Sequence, residues 1–140
     1  MRAVQGAADF AGLWQVERII TDRLSGQAGR FSGQAMFARA KNGLDYTEQG
    51  LLQMGDGPLL TATRSYRWQF GGPRVAVNFT DGRAFHDFAL GVSGPGSDHL
   101  CGADLYRVRY DWDHWPLWHV AWDVRGPRKD YLMESRYGRH

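Results

Sequence analysis

The chain has 140 residues, a mass of 15.9 kDa, 43% hydrophobic and 23% charged residues, and a net charge of +2, which describes one folded domain rather than a disordered chain. Its single cysteine, Cys101, excludes an internal disulfide framework and a Cys-rich zinc module. No apolar run approaches the ~18 residues of a membrane span, no signal-peptide core precedes Phe10, and the arginines are scattered among aspartates without a like-charge block. These features point to a cytoplasmic protein with no nucleic-acid stripe and no membrane partner.

Residues 2–9 read as a short helix or a disordered lead. Nine strands then follow: 10–22, 29–40, 44–53, 59–70, 74–80, 83–90, 99–110, 117–124 and 129–137. Turn signals separate them roughly every ~8–12 residues, among them Asn42-Gly43, Gly55-Asp56-Gly57-Pro58, Asp81-Gly82 and Gly94-Pro95-Gly96. No long segment carries a 3.6-residue apolar period, which excludes a parallel α/β fold. Short connections make sequential strands antiparallel neighbours, and about nine of them close into a single up-and-down all-β barrel that has no free edge. Barrels of about this size can hold one small ligand.

Alternation assigns the faces. In the first strand Trp14, Val16, Arg18 and Ile20 point together. A two-residue Asn42-Gly43 loop would set Phe37 opposite Glu48, with Phe31, Ala35, Leu44, Tyr46, Glu48 and Arg39 on the core face. The fourth strand alternates most cleanly, with Arg64, Tyr66, Trp68 and Phe70 on one face. A two-residue Asp81-Gly82 turn would set Phe79 opposite Ala84 and Val77 opposite His86. His86 and Phe88 then face inward, and Phe85 and Asp87 face out. Asp104, Tyr106, Val108 and Tyr110 share the inward face of the seventh strand. Trp118, Val120 and Trp122 share that of the eighth.

The opening strand, Phe10-x-Gly12-x-Trp14, resembles the lipocalin and fatty-acid-binding-protein group, the calycins. That resemblance implies a Trp across the closed end of the barrel, under a basic residue such as Arg136 or Arg128. Phe10-x-Gly12-x-Trp14, Asp81-Gly82-Arg83-x-Phe85-His86, His99-x-Cys101-Gly102-x-Asp104-x-Tyr106 and Gly126-Pro127-x-Lys129-Asp130-Tyr131 together resemble an uncharacterised, mostly bacterial family, domain of unknown function 6314. This second resemblance implies a lipocalin-like barrel over the whole chain and supplies no activity.

The inward set contains Arg18, Glu48, Arg64, Tyr66, His86, Asp104 and Tyr106, and charges are costly in a closed core unless paired. Two arrangements satisfy them. They can pair with one another in a filled barrel that acts as a structural or interaction protein. They can also line a wet cavity, where Arg64 and Arg18 neutralise a small, partly apolar anion, Tyr66, Tyr106 and His86 orient it, and Trp68, Phe79 and Phe88 form apolar walls. An inward His86 beside Asp104 or Glu48 would instead form an acid–base pair for a small barrel enzyme. His99-x-Cys101 offers two metal-ligand types that Asp104 and His86 could join only if Gly102 hosts a bulge, and a single histidine, His86 or a His99 turned inward by a bulge, could serve as an axial haem ligand. The residues select no particular cofactor, and the outward Arg-rich face leaves oligomerisation open. Trp112, Trp115, Trp118 and Trp122 cluster around one turn and read as a packed barrel end.

Overall fold

A computed structural model describes residues 4–139. The fold is an all-β antiparallel barrel. It comprises α1 (Ala7–Phe10), β1 (Gly12–Asp22), β2 (Ala28–Ala40), β3 (Gly43–Met54), β4 (Leu60–Gly71), β5 (Arg74–Asn78), β6 (Ala84–Ala89), β7 (Gly94–Pro95), β8 (His99–Cys101), β9 (Asp104–His114), β10 (Leu117–Arg125) and β11 (Asp130–Gly138). Of the expected lead, residues 7–9 lie in the helix, which runs on through Phe10, so the first strand starts at Gly12 rather than residue 10; residues 2–3 lie outside the described residues.

The strand count is eleven, not nine. Gly102, at a φ of +62°, turns the expected strand 99–110 back on itself, so β8 pairs with β9 as a hairpin. Gly94-Pro95, expected as a turn, adds a two-residue strand against β9. The sheet runs β6-β5-β4-β3-β2-β1-β11-β10-β9-β7. It is nearly closed by the segment after β7. Ser97 donates its backbone N–H to the Asp87 carbonyl at 2.9 Å, and its hydroxyl accepts from the Asp87 N–H at 2.9 Å.

Two hairpins differ from expectation in register. The β2–β3 loop is Lys41-Asn42, with Asn42 at a φ of +62°, and Phe37 lies opposite Tyr46 rather than Glu48. Gly43 belongs to the strand because the β4 backbone crowds it: a Cβ there would stand 1.8 Å from the Trp68 carbonyl oxygen. The slip is two residues, so every side chain keeps its face. At Asp81-Gly82 the loop is longer than two residues. Gly82, at φ +94°, donates to the Phe79 carbonyl, and the Phe79 N–H donates to the Arg83 carbonyl. Val77 still pairs with His86, but Asn78 pairs with Ala84, which leaves Phe85 as the extra residue of a bulge.

The end of the barrel at α1 is packed solid. Phe10 is fully buried and meets Trp68, Trp112, Trp115 and Trp118 at centroid distances of 5.2–5.7 Å. Trp14 donates its indole N–H to the Phe10 carbonyl at 2.8 Å and fixes the helix to this floor. The cation over Trp14 is Arg139, 3.8 Å from the ring centroid, and neither Arg136 nor Arg128. Arg139 also donates to the carbonyls of Asp9, Phe10 and Ala11. Trp112, Trp115 and Trp118 are buried in this floor as expected, whereas Trp122 lies higher, against Phe85 and His86.

Candidate ligand cavity

Above the aromatic floor lies a partly open cavity of about 700 Å³, whose exposed lining at its mouth includes Arg83 of the β5–β6 turn and Gly102 of the β8–β9 turn. Its base is a saturated polar network. Arg18 donates bidentately to Glu48 at 2.6 and 3.0 Å, and its Nε donates to the Ser135 hydroxyl at 2.7 Å. The Tyr46 hydroxyl donates to Glu48, so the Tyr137 hydroxyl, 2.8 Å away, donates to Tyr46. The Arg18 guanidinium also lies 4.9 Å from the Phe31 ring centroid. Burial works against both charges of the pair, and their mutual hydrogen bonds outweigh it. The Arg18 pKa ends raised and the Glu48 pKa ends lowered. A pair that fully desolvated is held by its own geometry and has little charge left for a guest.

Arg64 stands differently. It lies two residues before Tyr66 on the inward face of β4, lines the cavity and remains exposed. Among the described residues its guanidinium makes no ion pair, and its hydrogen-bond partner is the Met133 sulfur at 4.0 Å; Glu48 lies opposite it on β3, and the Arg64 charge adds to the lowering of the Glu48 pKa. Of the three arginines that line the cavity, Arg18 is paired with Glu48 and Arg83 with Asp81, and Arg64 makes no ion pair among the described residues.

The side walls are aromatic. Tyr66, Phe79, Phe85 and Trp122 line the upper cavity, and Trp68 lies below them. Phe88, expected as a wall, is buried instead against Tyr110 and Trp112 in the packed half. Tyr106 lines the mouth, where its hydroxyl accepts from Lys129 Nζ at 3.1 Å. His86 is buried, with Nε2 2.7 Å from the Tyr110 hydroxyl and no carboxylate hydrogen-bonded to its ring. Burial lowers its pKa to about 3, so its imidazole is neutral at ordinary pH. The acid–base pairing of His86 with Glu48 or Asp104 is not formed. Glu48 is occupied by Arg18 and Tyr46, and Asp104 lies outside the cavity lining, 3.5 Å from Lys129. His99 and Cys101 both reach the mouth of the cavity, and among the described residues no three His, Cys, Asp or Glu side chains converge as a metal site.

A family model described as "Family of unknown function (DUF6314)" matches residues 10–139. The chain belongs to the DUF6314 family. No functionally curated protein matches the sequence. Among solved structures the DUF6314 chain resembles a DUF3598 protein of unknown function from Nostoc punctiforme, with a TM-score of 0.60 and 11% identity over 97% of this chain and 49% of that one. The chain thus spans about half the length of the Nostoc protein. It also resembles the S-type phycobiliprotein lyase of Guillardia theta, with a TM-score of 0.59 and 8% identity over 93% of this chain and 86% of that one. At these identities the likeness is one of fold.

Within the DUF6314 barrel the structure gathers Arg18, Glu48, Arg64, Tyr66, His86 and Tyr106 around one cavity and leaves Asp104 at its outer edge. Sequence reading missed Phe85, Ser135 and Tyr137 as lining residues. Ser135 and Tyr137 were accessible from alternation in β11, which places them with Met133 on one face. Phe85 was not, because one bulged residue reverses the facing.

Proposed function

We propose that this protein binds a small, partly apolar, anionic molecule inside its barrel. The observation that carries the reading is the Arg64 guanidinium, without an ion pair among the described residues, at the wall of an aromatic-lined cavity of about 700 Å³. That volume falls within the range of small-molecule sites, and a few placed polar groups among apolar walls are their usual composition. Arg64 holds the acid group, Tyr66 and Tyr106 orient it with their hydroxyls, and Trp68, Phe79 and Trp122 take the apolar part. Arg18 and Glu48 form the fixed polar base beneath the ligand rather than its counter-ion. The similar Guillardia barrel is named a lyase, which supports a functional rather than a merely structural use of this fold. The exposed thiol of Cys101 suits a reducing compartment such as the cytoplasm.

Native mass spectrometry tests the reading. The protein is sprayed with an equimolar panel of C10–C14 carboxylic acids and the matching alcohols. One-to-one adducts are expected with acids and not alcohols, and the Arg64→Met variant should lose them. Acid adducts that survive Arg64→Met, or adducts with neither class, would overturn it.

A further inference from the structure

Phe85 occupies the centre of an aromatic cage. Its ring is stacked on Trp122 at 4.9 Å with an interplanar angle of 3°, and on Tyr66 at 5.5 Å and 23°. Phe79 lies 4.8 Å away at 25°. The rim of the ring meets groups turned nearly perpendicular to it: His86 at 4.7 Å and 86°, and His99 at 5.1 Å and 87°. Parallel faces with perpendicular edges recognise a flat ring and not merely apolar volume.

The residue in this cage is the one member of β6 that the ladder does not require. Asn78 pairs with Ala84 and Val77 with His86, so Phe85 is the bulged extra. β6 is also the end of the sheet order. Towards β9 it is fastened at its lower half by the Asp87–Ser97 hydrogen bonds. Above Asp87, among the described residues, that seam is closed by ring contacts such as Phe85–His99 and by the His86–Tyr110 side-chain hydrogen bond, with no backbone ladder. Phe85 itself can therefore turn outward without breaking backbone pairs to β9, with Ala84 still paired to Asn78 on β5.

We propose that Phe85 is an internal stand-in for the ligand, and that the cage it fills takes the planar ring of an aryl carboxylate whose acid group reaches Arg64. The proposal rests on the reading above that the cavity takes an apolar anion, and it names the class of that anion. Arg64 and Tyr66 are neighbours on one face of β4, about 7 Å apart along the strand. A ring stacked on Tyr66 thus carries its carboxylate within reach of the long Arg64 side chain. A straight-chain acid of equal carbon count covers similar apolar area but gains no stacking, a difference of about tenfold for two ring faces.

The test is calorimetric titration of the wild-type chain, Phe85→Ala and Phe85→Leu with 2-naphthoate and with undecanoate, which have the same number of carbons. Vacating the cage removes the internal competitor. Phe85→Ala is expected to bind 2-naphthoate about tenfold or more tighter than wild type, with undecanoate changed by less than about threefold. Phe85→Leu keeps an apolar side chain on the bulge and serves if the alanine variant fails to fold; it should show the same preference at smaller size. Weaker 2-naphthoate binding in both variants, or equal changes for both acids, would overturn the cage and show Phe85 to be an ordinary wall. Undecanoate binding with no aryl preference would do the same and leave the anion site standing. Binding of neither acid to any of the three proteins would overturn both readings.

Discussion

Replacing Glu48 by leucine strands the Arg18 guanidinium. Both side chains are more than nine-tenths buried, and Glu48 supplies the only carboxylate that Arg18 meets among the described residues. What remains is the hydrogen bond from Arg18 Nε to Ser135, the nearby Tyr137 hydroxyl and the face of Phe31. Removing one partner of a buried pair costs about 3–5 kcal/mol, because the remaining charge stays desolvated. For a domain of this length that corresponds to a fall in Tm of roughly 10–17 °C. Replacing both, in Arg18→Met/Glu48→Leu, removes the desolvation problem together with the pair, and should leave stability within about 2 kcal/mol of wild type. The assay is urea denaturation followed by tryptophan fluorescence at pH 7, beside calorimetric melting. The decisive comparison is single against double. A single variant no less stable than the double would show that Arg18 is solvated by cavity water and that the pair does not organise the interior.

Three further perturbations have definite expected outcomes. Burial keeps His86 neutral with a pKa of about 3, whereas an unfolded histidine protonates below about 6.5, so its contribution is intact above pH 6.5 and lost as pH falls towards 3. Between pH 6.5 and 4.5 this amounts to about 2–3 kcal/mol, and His86→Leu should lose that much less stability over the interval in urea titrations; an unchanged slope would refute it. Arg139→Ala removes the cation over Trp14 and three hydrogen bonds to the carbonyls flanking Phe10, and should cost about 1–2 kcal/mol in thermal melting. Gly43→Ala forces a Cβ onto the Trp68 carbonyl and should cost about 2–4 kcal/mol by urea denaturation, with a cost below about 1 kcal/mol showing that β3 and β4 separate freely there.

Much of the barrel was legible because period-2 alternation is set locally. Trp14, Val16 and Arg18 in β1 and Arg64, Tyr66 and Trp68 in β4 face inward as read. The β2–β3 register was displaced, yet its faces survived, because a shift of two residues preserves parity. Phe85 failed for the complementary reason. An Asp-Gly pair is compatible with a two-residue turn and with a longer loop followed by a bulge, and only the crowding of the finished barrel selects between them. Alternation also says which way a side chain points and not whether its position lies within the barrel wall or at its rim. Asp104 shares a face with Tyr106 but sits at the first residue of β9, where Lys129 claims it. The Arg18–Glu48 pair joins residues 30 apart on non-adjacent strands, so it depends on barrel curvature that no local pattern records. Arg139 follows the last strand, and its place over Trp14 is set by where the chain leaves β11.

Arg64 is the proposed cation for an anion inside the barrel. The measurement that reaches it most directly is a crystal structure of the protein grown with undecanoate. The expected result is the acid within the cavity, its carboxylate hydrogen-bonded to the Arg64 guanidinium and the Arg18–Glu48 pair unbroken beneath it. An acid seated on the outer face of the sheet, or one that displaces Glu48 from Arg18 while Arg64 stays empty, would contradict the account.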